Sequence, residues 1–260
     1  MMKSADALWP GGPLFLDAEQ APLCTDSVLL ADFVRPAGLE RGVDLGCGSG
    51  ILSLLLLART TKLHMTGLEL QPEAAALAAE NMARNGLEER TQMLSGDIRA
   101  HRRLFAAGSF ELAVSNPPYF PVGSGSLSPD PARAAARGET DCTLPELCAA
   151  AAYLLRTGGR FCLVYRPERL SELFCRLSEA GLEPKRLRLV CPRPESAPSL
   201  VLVEARRGGK PGLVIEPPLA LTDADGNESA EVKRIYHREE QWKDEKAADV
   251  NPEPIRNARL

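Results

Sequence analysis

Residues 116–119 read Asn-Pro-Pro-Tyr and directly follow an apolar segment, 110–115, that is predicted to form a strand. A residue before proline is held extended, and proline has no N–H, so this segment offers hydrogen-bond acceptors and few donors. We expect the side-chain oxygen of Asn116 and the carbonyl of Pro117 to accept the two hydrogens of a planar amine. Tyr119 would stack on the ring that carries the amine, a contact worth about 1–3 kcal/mol for a nucleobase. The alternative is a rigid proline turn with this tyrosine in the core.

A glycine loop precedes that motif. Residues 43–50 read Val-Asp-Leu-Gly-Cys-Gly-Ser-Gly, and a strand, a loop and a helix in this order bring backbone N–H groups close to a ligand. The spacing is Gly-x-Gly-x-Gly, whereas the dinucleotide fingerprint is Gly-x-Gly-x-x-Gly, which counts against NAD. Asp44 adds an acid that suits a ligand carrying cations, such as an ammonium or a sulfonium, and that would repel a pyrophosphate. A simple helix-capping role for Asp44 is the alternative.

Two further acids follow predicted strands. Glu69 ends the second strand, 63–70, nineteen residues after Gly50, where its carboxylate can accept hydrogen bonds from both hydroxyls of a ribose. Asp97 follows the third strand, 91–94, and could act as a ligand contact or as a helix cap. Together with the glycine loop, these acids predict a nucleoside-type cofactor site.

Strand-like and helical segments alternate along the chain, a pattern typical of a parallel sheet with both faces covered. The last two strands are joined by eight residues, 192–199, too few for a crossover, so they are predicted to form an antiparallel hairpin. Glycines 158 and 159 are expected to end a helix. The predicted strands are 43–47, 63–70, 91–94, 110–115, 161–165, 186–191 and 200–206, and the predicted helices are 51–58, 72–85, 144–155 and 168–180.

These motifs resemble those of class I S-adenosylmethionine-dependent amino-methyltransferases. Over roughly residues 10–237 the chain most resembles the bacterial tRNA1(Val) (adenine-37)-N6-methyltransferase family. The resemblance implies an α/β, Rossmann-like fold with a mostly parallel seven-stranded sheet, which ends in an antiparallel hairpin and has helices on both faces. It also implies methyl transfer from S-adenosylmethionine to the N6 amino group of an adenine in tRNA, at position 37 of the anticodon loop.

The resemblance extends to individual positions. It implies that Asp97 contacts the adenine amino group of the cofactor, and that an N-terminal lid, residues 10–36, closes over its methionine end. A helix N-cap is the alternative role for Thr25 and Asp26. The predicted catalytic residues are Asn116, Pro117, Pro118 and Tyr119. The predicted cofactor-binding residues are Thr25, Asp26, Asp44, Gly46, Cys47, Gly48, Gly50, Glu69, Leu70, Asp97, Ile98 and Asn116.

Contact with RNA requires a local basic patch, because the formal net charge is −4 and gives no overall attraction to phosphates. The family commonly has Ala-Arg-His-Glu where residues 136–139 read Ala-Arg-Gly-Glu, so the role of that histidine is dispensable here or taken over elsewhere. Exposed charges are usually just solvated surface, which is the alternative for each arginine. The candidate RNA-binding residues are Phe120, Arg99, Arg102, Arg103, Arg133 and Arg137.

Composition limits the remaining possibilities. The 260 residues fit one domain, predicted over 1–237, followed by a charged tail, 238–260, that is expected to be poorly ordered. Seven cysteines without a Cys-x-x-Cys pair, and three scattered histidines, predict buried thiols and no metal site. Residues 223–227 superficially resemble a calcium loop, but the misplaced glycine favours a plain turn. No signal core or membrane span is evident, so a cytoplasmic protein is expected, and its oligomeric state is left open.

Two other functions compete with RNA methylation. A methyltransferase acting on the N5 of a glutamine side chain in a protein would meet an amide with the same two hydrogens. Such enzymes typically carry a helical N-terminal domain, whereas 42 residues precede Val43 here. The other alternative is a non-catalytic RNA-binding factor on the same scaffold, and the intact segments 46–50 and 116–119 count against it.

Overall fold

The computed structural model describes residues 6–16, 24–117 and 142–238. The predictions for Pro118, Tyr119, Phe120, Arg133, Arg137 and the tail from residue 239 therefore lie outside the described residues. The strands are β1 Asp6–Ala7, β2 Leu14–Phe15, β3 Arg41–Leu45, β4 His64–Glu69, β5 Thr91–Ser95, β6 Phe110–Ser115, β7 Leu155–Tyr165, β8 Leu182–Cys191, β9 Leu200–Arg207, β10 Val214–Ile215 and β11 Leu219–Ala220. The helices are α1 Thr25–Phe33, α2 Ile51–Ala58, α3 Pro72–Arg84, α4 His101–Leu104, α5 Leu144–Leu154, α6 Leu170–Glu179 and α7 Ala230–Ile235.

A central sheet runs in the order β10-β8-β9-β7-β6-β3-β4-β5. The strands from β3 to β7 are parallel, and β9 pairs antiparallel with both β7 and β8. The predicted mostly parallel sheet with a terminal antiparallel hairpin is therefore confirmed. The structure adds β10 and β11, which both pair with the edge strand β8. Each has two residues, too few to show a strand period in the sequence.

Helices cover both faces of this sheet, as predicted. Leu112, Val114 and Val164 face the core that contains α1 and α2. Ala113 and Leu163 face the opposite core, which contains α5 and α6. Side chains alternate between the two faces of a strand, so the strands in the centre of this sheet must be apolar on both.

Helix α1 is a core element rather than a loose cover. Six of its nine residues are buried, and it packs on α2, β7 and β9. Its apolar side chains are not confined to one face, and the stability of such a helix comes mainly from its packing in the core. The part of the predicted lid that the structure describes thus includes a helix fixed in the hydrophobic core.

The connection from α5 to β7 differs from the prediction. The helix ends at Leu154, and β7 begins at once at Leu155 instead of after the two glycines. Gly158 has a φ of 78° and lies inside the strand, where the register against β6 shifts between Phe110 and Leu112. The glycine pair therefore accommodates an irregular part of β7 and does not end the helix.

The C-terminal segment folds back onto α1. Val232 and Ile235 of α7 are buried in the same core as α1, and Arg234 forms two hydrogen bonds with Asp32. Arg238 pairs with Glu228 and lies over a tyrosine ring, so this residue of the predicted tail contacts the folded body. Residues 223–227 form the predicted plain turn, in which the Asp223 carboxylate accepts the N–H groups of residues 225 and 227.

The cysteines divide into two groups. Cys47, Cys148, Cys162 and Cys191 are buried, as expected for structural thiols. Cys24 and Cys142 are half-buried, and Cys175 is exposed, so the prediction of buried thiols was wrong for these three. Cys175 lies on the amphipathic helix α6, whose buried residues are Leu173 and Leu177, and helix geometry places it on the outer side. Within the three described ranges, no helix combines the length and apolar character needed to cross a bilayer.

Candidate active site

The predicted site residues meet at one edge of the sheet. Strands β6, β3, β4 and β5 are neighbours in this order and run parallel, so their carboxyl ends lie side by side. The chain winds from β3 to β5 in one direction and then returns to place β6 on the other side of β3. Ligands of open α/β sheets bind in the crevice at such a reversal of strand order.

The glycine loop adopts a conformation that requires its glycines. Gly46, Gly48 and Gly50 have φ values of 76°, 53° and 84°. The N–H of Gly46 donates to the carbonyl of Leu68 on β4 at 2.8 Å, which fixes the start of the loop. A Cβ added at Gly46 or Gly48 would point into open space, whereas one at Gly50 would meet Met82 and Ala78. The first two glycines therefore leave room for a ligand above the loop, and the third lets α2 pack on α3.

Asp44 lies beneath this loop and is 1% exposed. Its carboxylate accepts the hydroxyl of Ser53 at 2.9 Å and also the backbone N–H of Ser53, in the first turn of α2. Burial raises the pKa of Asp44 to about 7, and the nearby charge of Glu69 adds to this. Asp44 therefore caps α2, as the alternative interpretation had it, and a cation arriving beside it would favour its ionised form.

Glu69 and the loop are linked directly. One carboxylate oxygen of Glu69 accepts the N–H of Gly48 at 2.9 Å, and the other accepts the N–H of Gln71 at 3.0 Å. A carboxylate has about four lone-pair sites, so these two bonds leave acceptor capacity for ribose hydroxyls. Leu70, 39% exposed, adds an accessible apolar side chain beside this acid.

Asp97 is held by an arginine two residues away. The Arg99 guanidinium donates to both carboxylate oxygens of Asp97, at 2.6–3.0 Å, and its backbone N–H donates to one of them at 2.8 Å. These hydrogen bonds hold the pKa of Asp97 below its usual value. Ile98, the next predicted cofactor residue, is half-buried against the α5 core. Asp97 thus also caps its own local helical turn, and Arg99 is paired with this predicted cofactor residue.

The other described arginines of the predicted RNA rim lie on the short helix α4. The guanidinium of Arg102 lies over the ring of Tyr153, 4.6 Å from its centroid, and Arg103 is exposed on the same helix. Arg99 thus lies at Asp97, whereas Arg102 packs on the last turn of α5, which leads into the start of β7.

Asn116 follows β6 directly and faces the first turn of α1. Its side-chain nitrogen donates to Ser27 Oγ at 3.0 Å and to Cys24 Sγ at 3.2 Å. Thr25 and Asp26 lie between these two contacts, so the structure places the predicted α1 residues next to the predicted catalytic amide. The nitrogen end of the carboxamide is therefore the end that faces α1.

Several residues of this site carry no signal in the sequence. Ser27 and Cys24 contact Asn116 across 89 and 92 residues, and Ser53 bonds Asp44 across the loop. Asn81 is fully buried on α3 and donates to the carbonyl of Ser49 at 2.9 Å, which fixes the middle of the glycine loop. A lone serine or asparagine in an apolar helix is too common a pattern to identify such roles.

The site suits a cationic nucleoside ligand. The glycines leave space above the loop, and Asp44, Glu69 and Asp97 supply negative charge and acceptors along three neighbouring strand ends. The Cys47 thiol takes no part as a nucleophile, because burial raises its pKa well above its ordinary value. Among the described residues, no group of three or more His, Cys, Asp or Glu side chains could hold a metal ion.

Comparison with known proteins agrees with this site. The family model described as methyltransferase small domain matches residues 23–174. A tRNA1(Val) (adenine(37)-N6)-methyltransferase of Tolumonas auensis is 35% identical over 210 residues, which cover 80% of this chain and 84% of the relative. A protein of the same name from Porphyromonas gingivalis is 34% identical over 188 residues, 70% of this chain and 73% of the relative.

Solved structures share the fold at lower identity. One is described as a predicted O-methyltransferase of Agrobacterium tumefaciens, with a TM-score of 0.67 and 21% identity over 82% of this chain and 96% of that chain. A geranyl diphosphate methyltransferase solved with S-adenosylmethionine has a TM-score of 0.53 and 16% identity over 70% of this chain and 84% of that chain. The chain therefore belongs to the methyltransferase small domain family and, within it, to the S-adenosylmethionine-dependent enzymes whose curated members are named tRNA1(Val) (adenine(37)-N6)-methyltransferases.

Proposed function

We propose that this protein transfers the methyl group of S-adenosylmethionine to the N6 amino group of an adenine in tRNA, at position 37 of the anticodon loop. The observation that carries the proposal is the match to a relative of that name along 80% of the chain. The family model matches residues 23–174, which include both the glycine loop and Asn116. A base in an anticodon loop is already unpaired, so turning it into a pocket costs little. A tRNA substrate also implies a cytoplasmic protein.

Named residues would hold the cofactor. The glycine loop leaves room for the cofactor at Gly46 and Gly48. Asp44 would balance the positive charge of the cofactor, and Glu69 would accept hydrogen bonds from its ribose hydroxyls. Asp97 would accept from its adenine amino group, with Leu70 and Ile98 as apolar contacts for the ring. When bound, S-adenosylmethionine supplies an electrophilic methyl group on a sulfonium.

Asn116 and Pro117 would act on the substrate amine. The N6 amine of adenine is a poor nucleophile, because its lone pair is delocalised into the ring. Two acceptors, the Asn116 side-chain oxygen and the Pro117 carbonyl, would draw the amine hydrogens out of the ring plane and free the lone pair. Alignment of the nitrogen with the methyl group then supplies much of the reduction in barrier. As the new N–C bond forms, the S–C bond of the sulfonium would break and S-adenosylhomocysteine would leave. The methylated nitrogen then becomes acidic and loses its proton to water, so no strong general base is needed.

Methyl transfer to defined substrate pools tests this function. The purified protein is incubated with labelled S-adenosylmethionine and either tRNA from a strain lacking the gene or protein extract from the same strain. We expect label in tRNA, and N6-methyladenosine on mass analysis of the nucleosides. Label in a glutamine side chain would favour the amide alternative, and label in neither pool would favour a non-catalytic factor.

An Asn116→Ala variant tests the role of the amide. We expect methyl transfer to be abolished while S-adenosylmethionine binding, measured by calorimetric titration, changes little. Loss of binding together with activity would instead place Asn116 in the cofactor site or make it a structural residue.

A further inference from the structure

The first turn of α1 holds the side-chain amide of Asn116. The amide nitrogen donates to Ser27 Oγ at 3.0 Å and to Cys24 Sγ at 3.2 Å. Those two acceptors are themselves in contact, with 3.4 Å between Cys24 Sγ and Ser27 Oγ. Ser27 is 4% exposed, so this contact is shielded from bulk water.

The end of the Asn116 carboxamide that meets the substrate decides whether this side chain can accept hydrogen bonds from an amine. A carboxamide has nearly the same shape in its two flipped orientations, but one end only accepts hydrogen bonds and the other only donates them. The proposed chemistry needs the oxygen to face the substrate amine. Because the nitrogen is engaged by α1, it is the oxygen that this side chain can offer to a donating amine.

The helix that contacts Asn116, α1, is itself held in place by the rest of the protein. It is buried in the core, and the Arg59 guanidinium donates to two carbonyls at its C-terminal end, those of Ala31 and Val34. Cys24 is the N-cap residue, yet its side chain makes no capping hydrogen bond to the helix. Its sulfur is instead oriented to Ser27 and Asn116, which is unusual for a position that serine, threonine or aspartate commonly fills as a cap.

We propose that Ser27, assisted by Cys24, is a positioning residue that holds the Asn116 carboxamide in place through its nitrogen and so leaves the oxygen for the substrate amine. This inference rests on the proposed function, because it takes Asn116 as the group that binds the amine. In this proposal Ser27 acts through Asn116 and not through the substrate or the cofactor. Its effect would be on the fraction of enzyme whose amide is held in the productive place.

Kinetics of matched variants test the effect on catalysis. For Ser27→Ala we expect kcat on tRNA to fall by roughly 10- to 100-fold, since small errors in the placement of reacting groups are that costly. The Kd of S-adenosylmethionine and the KM of tRNA should stay near their wild-type values. Cys24→Ala should lower kcat less, because sulfur is a weak acceptor.

Nuclear magnetic resonance tests the hydrogen bond from Asn116 to Ser27, independently of any activity. The side-chain NH2 signals of Asn116 are assigned by their disappearance in Asn116→Ala. We expect them to shift in Ser27→Ala and to stay in place in the control Thr91→Val. That control also removes a hydroxyl that donates to a backbone carbonyl, here at 2.8 Å, but at the opposite end of the sheet.

The outcomes separate this inference from the function it rests on. A lower kcat with unchanged binding and shifted amide signals supports it. Wild-type kcat in Ser27→Ala overturns it, and so does a loss of S-adenosylmethionine binding that parallels the loss of kcat, since Ser27 would then be structural. If Asn116→Ala keeps its activity, Asn116 is not the group that binds the amine, and the proposed role of this residue fails. The amide signals of the wild-type protein and of Ser27→Ala would still report whether Ser27 holds the side chain.

Discussion

Asp44 illustrates how one residue can link cofactor binding to pH. Burial raises its pKa to about 7, so near neutral pH it exists in both protonation states. Because the folded pKa lies above the unfolded one, the contribution of Asp44 to stability is present below about pH 4 and is lost as pH rises to about 7. The buried site thus favours the protonated form of Asp44, whereas a bound cation favours the ionised carboxylate.

We therefore expect S-adenosylmethionine to bind wild-type protein more tightly as pH rises toward about 7, and this increase should level off above that pH. Asp44→Asn, which cannot ionise, should lack this part of the pH dependence and should bind more weakly above pH 7. Calorimetric titration of both proteins between about pH 5.5 and 8.5 measures the difference. Parallel pH profiles would show that Asp44 does not sense the charge of the ligand.

Arg99 offers a second test at the residue scale. Its guanidinium bonds both oxygens of Asp97, so we expect Arg99→Ala to weaken S-adenosylmethionine binding by releasing the carboxylate. The salt dependence of tRNA binding should not change, because a residue engaged with Asp97 neutralises no phosphate. A decrease of about one in the slope of log affinity against log salt would instead show that Arg99 contacts a phosphate of the RNA.

Helix α1 is the element on which the active site depends, since it carries Ser27 and packs in the core. Its C-terminal end is closed by Arg59, whose guanidinium donates to the carbonyls of Ala31 and Val34. Burial lowers the pKa of Arg59, which means that the protein environment opposes this charge unless its hydrogen bonds are made. Carbonyls at a helix end have no partner within the helix, so an outside donor is required.

Arg59→Met should therefore lower the free energy of unfolding by roughly 1.5–3 kcal/mol, the usual loss for hydrogen bonds to a charged group. Arg84→Met is a matched control, because Arg84 forms an exposed pair with Glu80 one turn away on α3 and should lose only about 0.3–0.5 kcal/mol. Urea unfolding measures both. Equal losses in the two variants would show that the α1 contact is no stronger than a surface ion pair.

At the scale of the whole molecule, charge decides how RNA can be bound. The formal net charge is −4, so attraction to phosphates must come from a local group of arginines. Two arginines that the structure describes, Arg99 and Arg102, are engaged with Asp97 and with the ring of Tyr153. This leaves Arg103, which is exposed on α4, and Arg133 and Arg137, which follow the Asn-Pro-Pro-Tyr motif in the sequence.

Replacing Arg133 and Arg137 with alanine should raise the KM for tRNA and leave S-adenosylmethionine affinity unchanged. The slope of log affinity against log salt should fall by about one for each arginine that had neutralised a phosphate. Arg156→Ala is the control, because Arg156 lies at the start of β7, at the other end of the sheet from the site, and pairs with Glu111. A wild-type salt slope in the double variant would make these two arginines ordinary surface residues.

The C-terminal region should consist of a tail after Arg238 that can be removed and a segment before it that contributes to stability. Removal of residues 239–260 should leave the melting temperature and activity on tRNA unchanged, because this segment is charged and lacks strand or helix periodicity. A longer deletion from residue 229 should lower the melting temperature, since Val232 and Ile235 of α7 are buried against α1. Weaker tRNA binding after the shorter deletion would show that the tail contacts the substrate.

Short-range patterns in the sequence determined the architecture and the main chemistry of the site. The period of apolar residues predicted β3 to β9, and the eight-residue connection predicted the antiparallel hairpin, because each depends on residues within about ten positions of one another. The glycine spacing predicted the loop for the same reason: only glycine adopts three positive φ values so close together at little cost. Such patterns cannot predict two-residue strands or the role of the glycine pair inside β7, because two residues are too few to show a period.

Tertiary structure alone decided the direction of the groups in the site. The strand order placed Asn116 beside Ser27, 89 residues away, and it buried Asp44 under the loop where its pKa rises. It also paired Arg99 with Asp97. A residue's type limits which hydrogen bonds it can form, but burial and the neighbours that the folded chain brings together select the bonds that are made. The sequence therefore determined which groups this protein has for its chemistry, and the packing of α1 against the sheet decided how they face one another.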